Sequence, residues 1–181
     1  MTTASSVRRH SHEDAQTIVG KLKQISFDDL NKLFREGVTP SFDEIEGETA
    51  SGMLAWNPQA HWWSKPLAII CFDNPLSCWT GKMFIEPFGE GKIGRGINKF
   101  NNRIKPRRFP FATCLEKAMM DGNPCLRLDY THFPGTMFST RDELRRIDDG
   151  VFLGQAYSKL PWDTERWFLR YFVLCALSMS R

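Results

Sequence analysis

The chain has 181 residues, enough for one domain whose core needs no disulfide staples. Its net charge of +3 is too small to argue for nucleic acid by itself. Five cysteines (Cys71, Cys78, Cys114, Cys125, Cys175) form no C-x-x-C pair and have no histidine at zinc-finger spacing, so they read as reduced, buried small hydrophobes of a cytoplasmic protein.

Residues 1–12 are small and polar and are expected to form a disordered tail, with residues 13–181 as a single domain that opens on a helical segment, 13–46. The stretch MTTASSVRRHSHED lacks the apolar centre of a signal peptide, and no run approaches the length of a membrane span. Ile18, Leu22 and Ile25 keep helical spacing. Ser26 followed by Asp29 resembles a capping box, Leu30, Leu33 and Phe34 form one face, and Gly37 supplies a stop. The spacing predicts one or two helices up to about residue 36. Thr39-Pro40-Ser41 with Glu44 then caps a short turn through Ile45.

Glu48 to Trp56 suits a strand, with Gly52 marking a bulge or a close approach. Asn57-Pro58 opens a segment in which QAHWWSK can form a helical turn before Pro66. Residues 67–72 (LAIICF) are too short to separate a buried strand from a buried helix. Lys82 to Phe88 reads as a strand, GEGKIG as a turn, and Arg95 to Phe100 as its return. Phe109 to Leu115 is a further strand in which Pro110 suggests an edge or a bulge. After the turn at Asp121-Gly122-Asn123-Pro124, Leu126, Leu128 and Tyr130 alternate with Arg127 and Asp129. Asp149-Gly150 between two strand-like runs is a hairpin signal, because a primed turn needs the positive φ that Asp and Gly tolerate. Trp167 to Leu177 is the last strand. The expected fold is mainly β (α+β): an antiparallel barrel of about eight strands behind one or two N-terminal helices, a shape that tends to enclose small molecules.

Four segments, SFDEIEG at 41–47, WWSK at 62–65, LDY at 128–130 and RDELRRIDDGVFLG at 141–154, resemble in that order the GXWXG-domain family of uncharacterised small proteins. The resemblance spans about residues 30–177. Thr49 and Ser51 stand where the family would place its tryptophan and second glycine, so the eponymous motif is missing. The resemblance implies a lipocalin-like or calycin-like barrel and supplies no reaction.

The run Gly89-Glu90-Gly91-Lys92-Ile93-Gly94 satisfies G-x-G-x-x-G, but the residues after it have no helical face, so it reads as a hairpin turn and not as a dinucleotide site. No metal-ligand spacing occurs, and no cofactor is expected. Glu86, Arg127, Asp129 and Arg170 are polar residues embedded in strands. Facing water they would be ordinary. Facing a lumen they would need partners, and a carboxyl group there can act as acid or base. Hydroxyls of Tyr130, Tyr157 and Tyr171 can orient a carbonyl or enol. His61, Trp62 and Trp63 adjoin a proline-broken segment that suits a lid or mouth, where a neutral imidazole transfers protons.

The candidate catalytic residues are therefore His61, Asp73, Glu86, Arg127, Asp129 and Tyr157. The candidate ligand-binding aromatics are Trp56, Trp62, Trp63, Trp79, Phe84, Tyr130 and Tyr171. They suggest a cofactor-independent cyclase or isomerase of a polyketide- or terpenoid-type intermediate, working by shape and acid/base chemistry. The alternative is a non-catalytic carrier or sensor of a hydrophobic small molecule. The basic window Lys92, Arg95, Lys99, Arg103, Lys105, Arg107 and Arg108 reads as a solvated hairpin, or as a rim that attracts an anionic ligand or an acidic surface. Nucleic acid is not expected, and a homodimer is one option for assembly.

Overall fold

A computed structural model describes residues 7–60, 66, 69, 73–74, 77–131, 140–159 and 164–178. Polar caps start the N-terminal helices, at Ser26 and Ser41 as the sequence predicts and also at Ser11, which was expected in the disordered tail. Ser11 accepts from the Asp14 amide and opens α1 (His12–Leu22), while Ser26 accepts from the Asp29 amide and opens α2 (Phe27–Glu36). Glu44 reaches back to the Ser41 amide at the head of α3 (Phe42–Ile45). No helix among the described residues is long and apolar enough to cross a membrane.

The strands are β1 (Gly47–Trp56), β2 (Asp73–Asn74), β3 (Ser77–Glu86), β4 (Gly94–Asn101), β5 (Arg107–Lys117), β6 (Pro124–Asp129), β7 (Arg141–Asp148), β8 (Val151–Ser158) and β9 (Trp167–Ala176). From β3 to β9 each strand pairs with the next, β9 pairs with β1, and β1 returns to β3 through Gly47↔Phe84 and Glu48↔Met83. Eight strands thus close into an antiparallel barrel, with β2 a two-residue flap on β3. The seam is tight. Gly81 has φ +153°, and a Cβ there would lie 2.0 Å from the Thr49 carbonyl oxygen. Thr49 bonds across the seam, its hydroxyl donating to the Lys82 carbonyl at 2.9 Å and accepting from the Lys82 amide at 3.0 Å.

Alternation sorts the side chains into two cores. Phe84, Phe111, Leu128, Leu144, Phe152 and Phe172 fill the lumen. Leu54, Leu153, Val173 and Cys175 point outward and pack beneath Val19, Leu22, Leu30 and Phe34 of the two helices. The close approach expected at Gly52 is real, since a Cβ there would sit 2.2 Å from Val19. The helices cover the outer wall of β1, β8 and β9 and leave the lumen to the strands. Residues 8–11, expected in the disordered tail, pack on the barrel: the His10 amide donates to Ala176 at 2.8 Å and the Arg8 amide to Asp149 at 3.0 Å. The Asp149-Gly150 turn forms as expected, with Gly150 at φ +69°.

The two ends of the barrel differ. Ile45 and Phe42 of α3, with Phe88 edge-on to Phe42 at 5.7 Å, close the end that carries the β3–β4 and β7–β8 turns. At the opposite end β1, β4, β6 and β8 stop at Trp56, Asn101, Asp129 and Ser158. His61, Trp62, Trp63 and most of residues 67–72 lie outside the described residues.

The cysteines are not uniformly buried as expected. Cys78 is exposed, whereas Cys125 and Cys175 are fully buried. Burial pushes both of those thiols up to about 12. They stay protonated in the fold when the unfolded chain has already ionised, so their stabilisation is complete below 9.0 and is lost as pH rises from there towards 12. Lys82, which burial holds below 10.5, acts in the opposite sense over its own window. Urea denaturation across this range will show Cys175→Ala losing less stability with rising pH than the parent; parallel curves would refute the linkage.

Candidate functional site

Two irregularities in β3 decide what enters the lumen. A register shift between Trp79 and Gly81 turns both Trp79 and Lys82 inward, although regular alternation would set them on opposite faces. A second shift between Phe84 and Glu86 throws Glu86 outward, where it lies 3.5 Å from Arg95. The chain therefore buries Lys82 and leaves Glu86, a candidate only if it faced the lumen, on the outside.

Lys82 is 2 % exposed and sits in an aromatic box. Its Nζ lies 5.2 Å from the ring centroids of Trp79, Phe111 and Tyr130 and 5.4 Å from that of Phe172, within cation–π range. Its ammonium donates to Asp142 Oδ2 at 2.8 Å, to Asn98 Oδ1 at 2.8 Å and to the Tyr130 hydroxyl. Tyr130 in turn donates to Asp142 Oδ2 at 2.8 Å. Asn98 is held by Trp79 Nε1 at 3.0 Å and donates to the Phe109 carbonyl at 2.8 Å. That carbonyl is aimed by the bulge expected at Pro110, where the register slips between Ile97 and Asn98 and Phe109 adopts φ +55°.

Burial drives the Lys82 pKa down, and the Asp142 carboxylate pulls it back up. Burial, and then the charge of Asp142, push the Tyr130 phenol well above its ordinary value. Tyr130 is thus a neutral donor at physiological pH. Both hydrogen bonds to Asp142 fall on Oδ2, and its side chain keeps 7 % exposure. The lumen carries two further hydroxyls, Ser51 Oγ and Thr113 Oγ1, which have no hydrogen-bond partner among the described residues. They face inward because their register partners are Leu174 and Leu128. Arg170 stacks on Trp56 at 4.2 Å, and Arg108 on Phe100 at 4.2 Å.

Trp79, Phe84 and Tyr130 face the lumen as expected, and Trp56 stands at the end of β1, under Arg170. Five other expected site residues are placed differently. Besides Glu86, Arg127 and Asp129 point outward, because Leu126, Leu128 and Tyr130 take the inner face of β6 and its extension. Arg127 pairs with Glu116 and Asp129 on the outer wall, and Arg141 joins them with Glu116 at 3.4 Å. Tyr157 and Tyr171 also point outward, because Phe152 and Ala156 of β8 and Phe172 and Leu174 of β9 occupy the inner faces. There Tyr157 donates to Gln155 at 2.9 Å, Gln155 to Tyr171 at 2.7 Å, and Tyr171 to Asn31 of α2 at 2.7 Å. Asp73 pairs through its backbone with Cys78, and its side chain is outside the description. Lys82, Asn98 and Asp142 were not singled out in the sequence. Asp142 alternates with Leu144, which was the one local hint that it shares the apolar face.

Among the described residues no group of three or more His, Cys, Asp or Glu is placed to hold a metal ion. By architecture the molecule is a closed eight-stranded antiparallel barrel with a buried ammonium–carboxylate–phenol cluster on its inner face. No protein-family model matches the chain, and no curated protein does. Among solved structures, the crystal structure of a protein from Thermomonospora curvata is similar over 92 % of this chain and 97 % of that one, with a TM-score of 0.50 and 14 % identity. That likeness concerns the fold alone.

Proposed function

We propose that the barrel encloses an apolar small molecule and acts on its polar end as a cofactor-independent isomerase or cyclase of a polyketide- or terpenoid-type intermediate. The observation that carries this reading is the Lys82–Asp142–Tyr130 cluster inside an aromatic box. Ionisable groups are costly to bury, and clefts that bury them with shifted pKa values are where proton-transfer groups gather. In this reading Asp142 Oδ1 accepts a proton from the substrate. Lys82 and Tyr130 hold the other carboxylate oxygen and keep the carboxyl group fixed. The rings of Trp79, Phe84, Phe111 and Phe172 set the substrate's conformation. Kinship with the GXWXG-domain proteins is part of the same proposal and adds a barrel without a reaction.

A carrier is favoured by one observation: all three ammonium protons of Lys82 already have protein acceptors. Native mass spectrometry of protein from its own source, followed by extraction, distinguishes the readings. A specific apolar metabolite at near-unit occupancy supports the pocket. Conversion of a supplied precursor, lowered about 10²-fold or more in a folded Asp142→Asn variant, supports catalysis. Retention without conversion supports the carrier. Protein that is empty and leaves hydrophobic dyes unbound refutes both.

A further inference from the structure

The basic window forms the β4–β5 hairpin, whose tip lies at the end of the barrel where β1 stops at Trp56 and β8 at Ser158. Asn102 Oδ1 accepts from the amides of Ile104 and Lys105, each at 2.9 Å, and the Phe100 amide donates to Pro106 at 2.7 Å. This Asx turn holds the tip in one shape. It presents Ile104 at 88 % exposure, and Arg103, Lys105 and Arg107 around it are exposed as well. At the foot of the tip is a cleft of about 530 Å³, walled by Lys99, Lys105, Arg107, Phe100 and Glu48. Glu48 lies against Lys99 and 3.8 Å from Arg107, so three cations face one carboxylate. Trp167, at the start of β9 on the same rim, is 37 % exposed.

We propose that this hairpin docks the barrel on a membrane surface carrying anionic lipid. Ile104 enters the headgroup–acyl boundary, and the cationic cleft receives a phosphate-bearing headgroup. An apolar side chain ringed by cations on a rigid turn suits such an interface, where charge attraction and shallow apolar insertion add. A stable protein partner would bury about 800 Å² on this side, more than one isoleucine and its charged neighbours offer as apolar surface.

The test is sedimentation of the full chain with mixed phosphatidylcholine–phosphatidylserine vesicles and with pure phosphatidylcholine vesicles, at low and high salt. Binding is expected to the mixed vesicles only and to weaken with salt. Each basic residue removed should lower the partition constant about fivefold, and Arg103→Ser with Lys105→Ser together about 25-fold. Ile104→Asp should lower it further, while circular dichroism and Tm stay unchanged because the side chains are exposed. Absence of binding to the mixed vesicles, or binding that both variants retain, overturns the proposal. So does capture of a purified acidic protein by the same rim without any vesicle binding. Sedimentation reads the rim alone, so an empty lumen would leave this result standing, and a filled lumen would not rescue a failure here.

Discussion

Replacing Lys82 by Met will lower the unfolding free energy by about 3–5 kcal/mol, because it leaves the Asp142 carboxylate buried without its cation. For a chain of this size that corresponds to roughly 6–20 °C in Tm. The aromatic box accepts the methionine side chain readily, so the loss is electrostatic and not steric. Tyr130 alone cannot compensate, since its one proton already serves Asp142 Oδ2. The double variant Lys82→Met, Asp142→Leu should recover most of the loss, because an apolar pair of similar volume avoids the desolvation of both charges. Urea denaturation of the four proteins in this cycle measures the coupling directly. A single variant as stable as the parent would mean that Lys82 is not the counter-charge of Asp142, and the site described above would lose its basis.

Arg145→Ala is expected to cost a similar amount, about 3–5 kcal/mol, at a place remote from the lumen. Arg145 is 1 % exposed. Its guanidinium makes paired bonds to Asp121, each of 2.7 Å, and donates to the carbonyls of Phe34, Asn123 and Pro124, each at 3.0 Å. All five of its N–H donors are therefore used. It also lies 4.7 Å over the Phe34 ring, so it ties α2 to the β5–β6 turn. Lysine cannot reproduce that fork, and Arg145→Lys should recover little. The same bonds hold the Asp121 carboxyl below its ordinary 3.8. A depressed carboxylate stabilises the fold above its unfolded pKa and loses that contribution as pH falls. The stability gap between parent and Arg145→Ala should accordingly narrow as pH drops below 3.8, the bonds to the three carbonyls keeping the remainder. A gap unchanged in acid would show that Asp121 is not the partner that matters.

Much of the barrel was legible because its signals are local. Ser26 with Asp29, Ser41 with Glu44, and Asp149-Gly150 each act within a few residues, and the helix starts and the hairpin fall where those residues put them. Alternation of Leu126, Leu128 and Tyr130 likewise placed Tyr130 on an apolar face. It also meant that Arg127 and Asp129 could not share that face, and the ion pairs on the outer wall are the consequence. Glu86 was misplaced for a different reason. A β-bulge shifts the phase of alternation by one residue, and β3 contains two of them.

Composition, capping residues, turn chemistry and strand alternation, all properties of the sequence, determined a mainly β chain of about eight strands behind one or two helices. They determined these features because each depends on contacts between near neighbours. The tertiary structure alone decided that the helices cover the outer wall, that Tyr157 and Tyr171 serve that wall, and that Lys82 meets Asp142 in the lumen. Lys82 lies 16 residues from Asn98, 48 from Tyr130 and 60 from Asp142, so no local pattern links them. They meet because closure of β1 on β3 turns the sheet into a barrel, and because the bulge beside Gly81 rotates one lysine from the solvent face to the inner one.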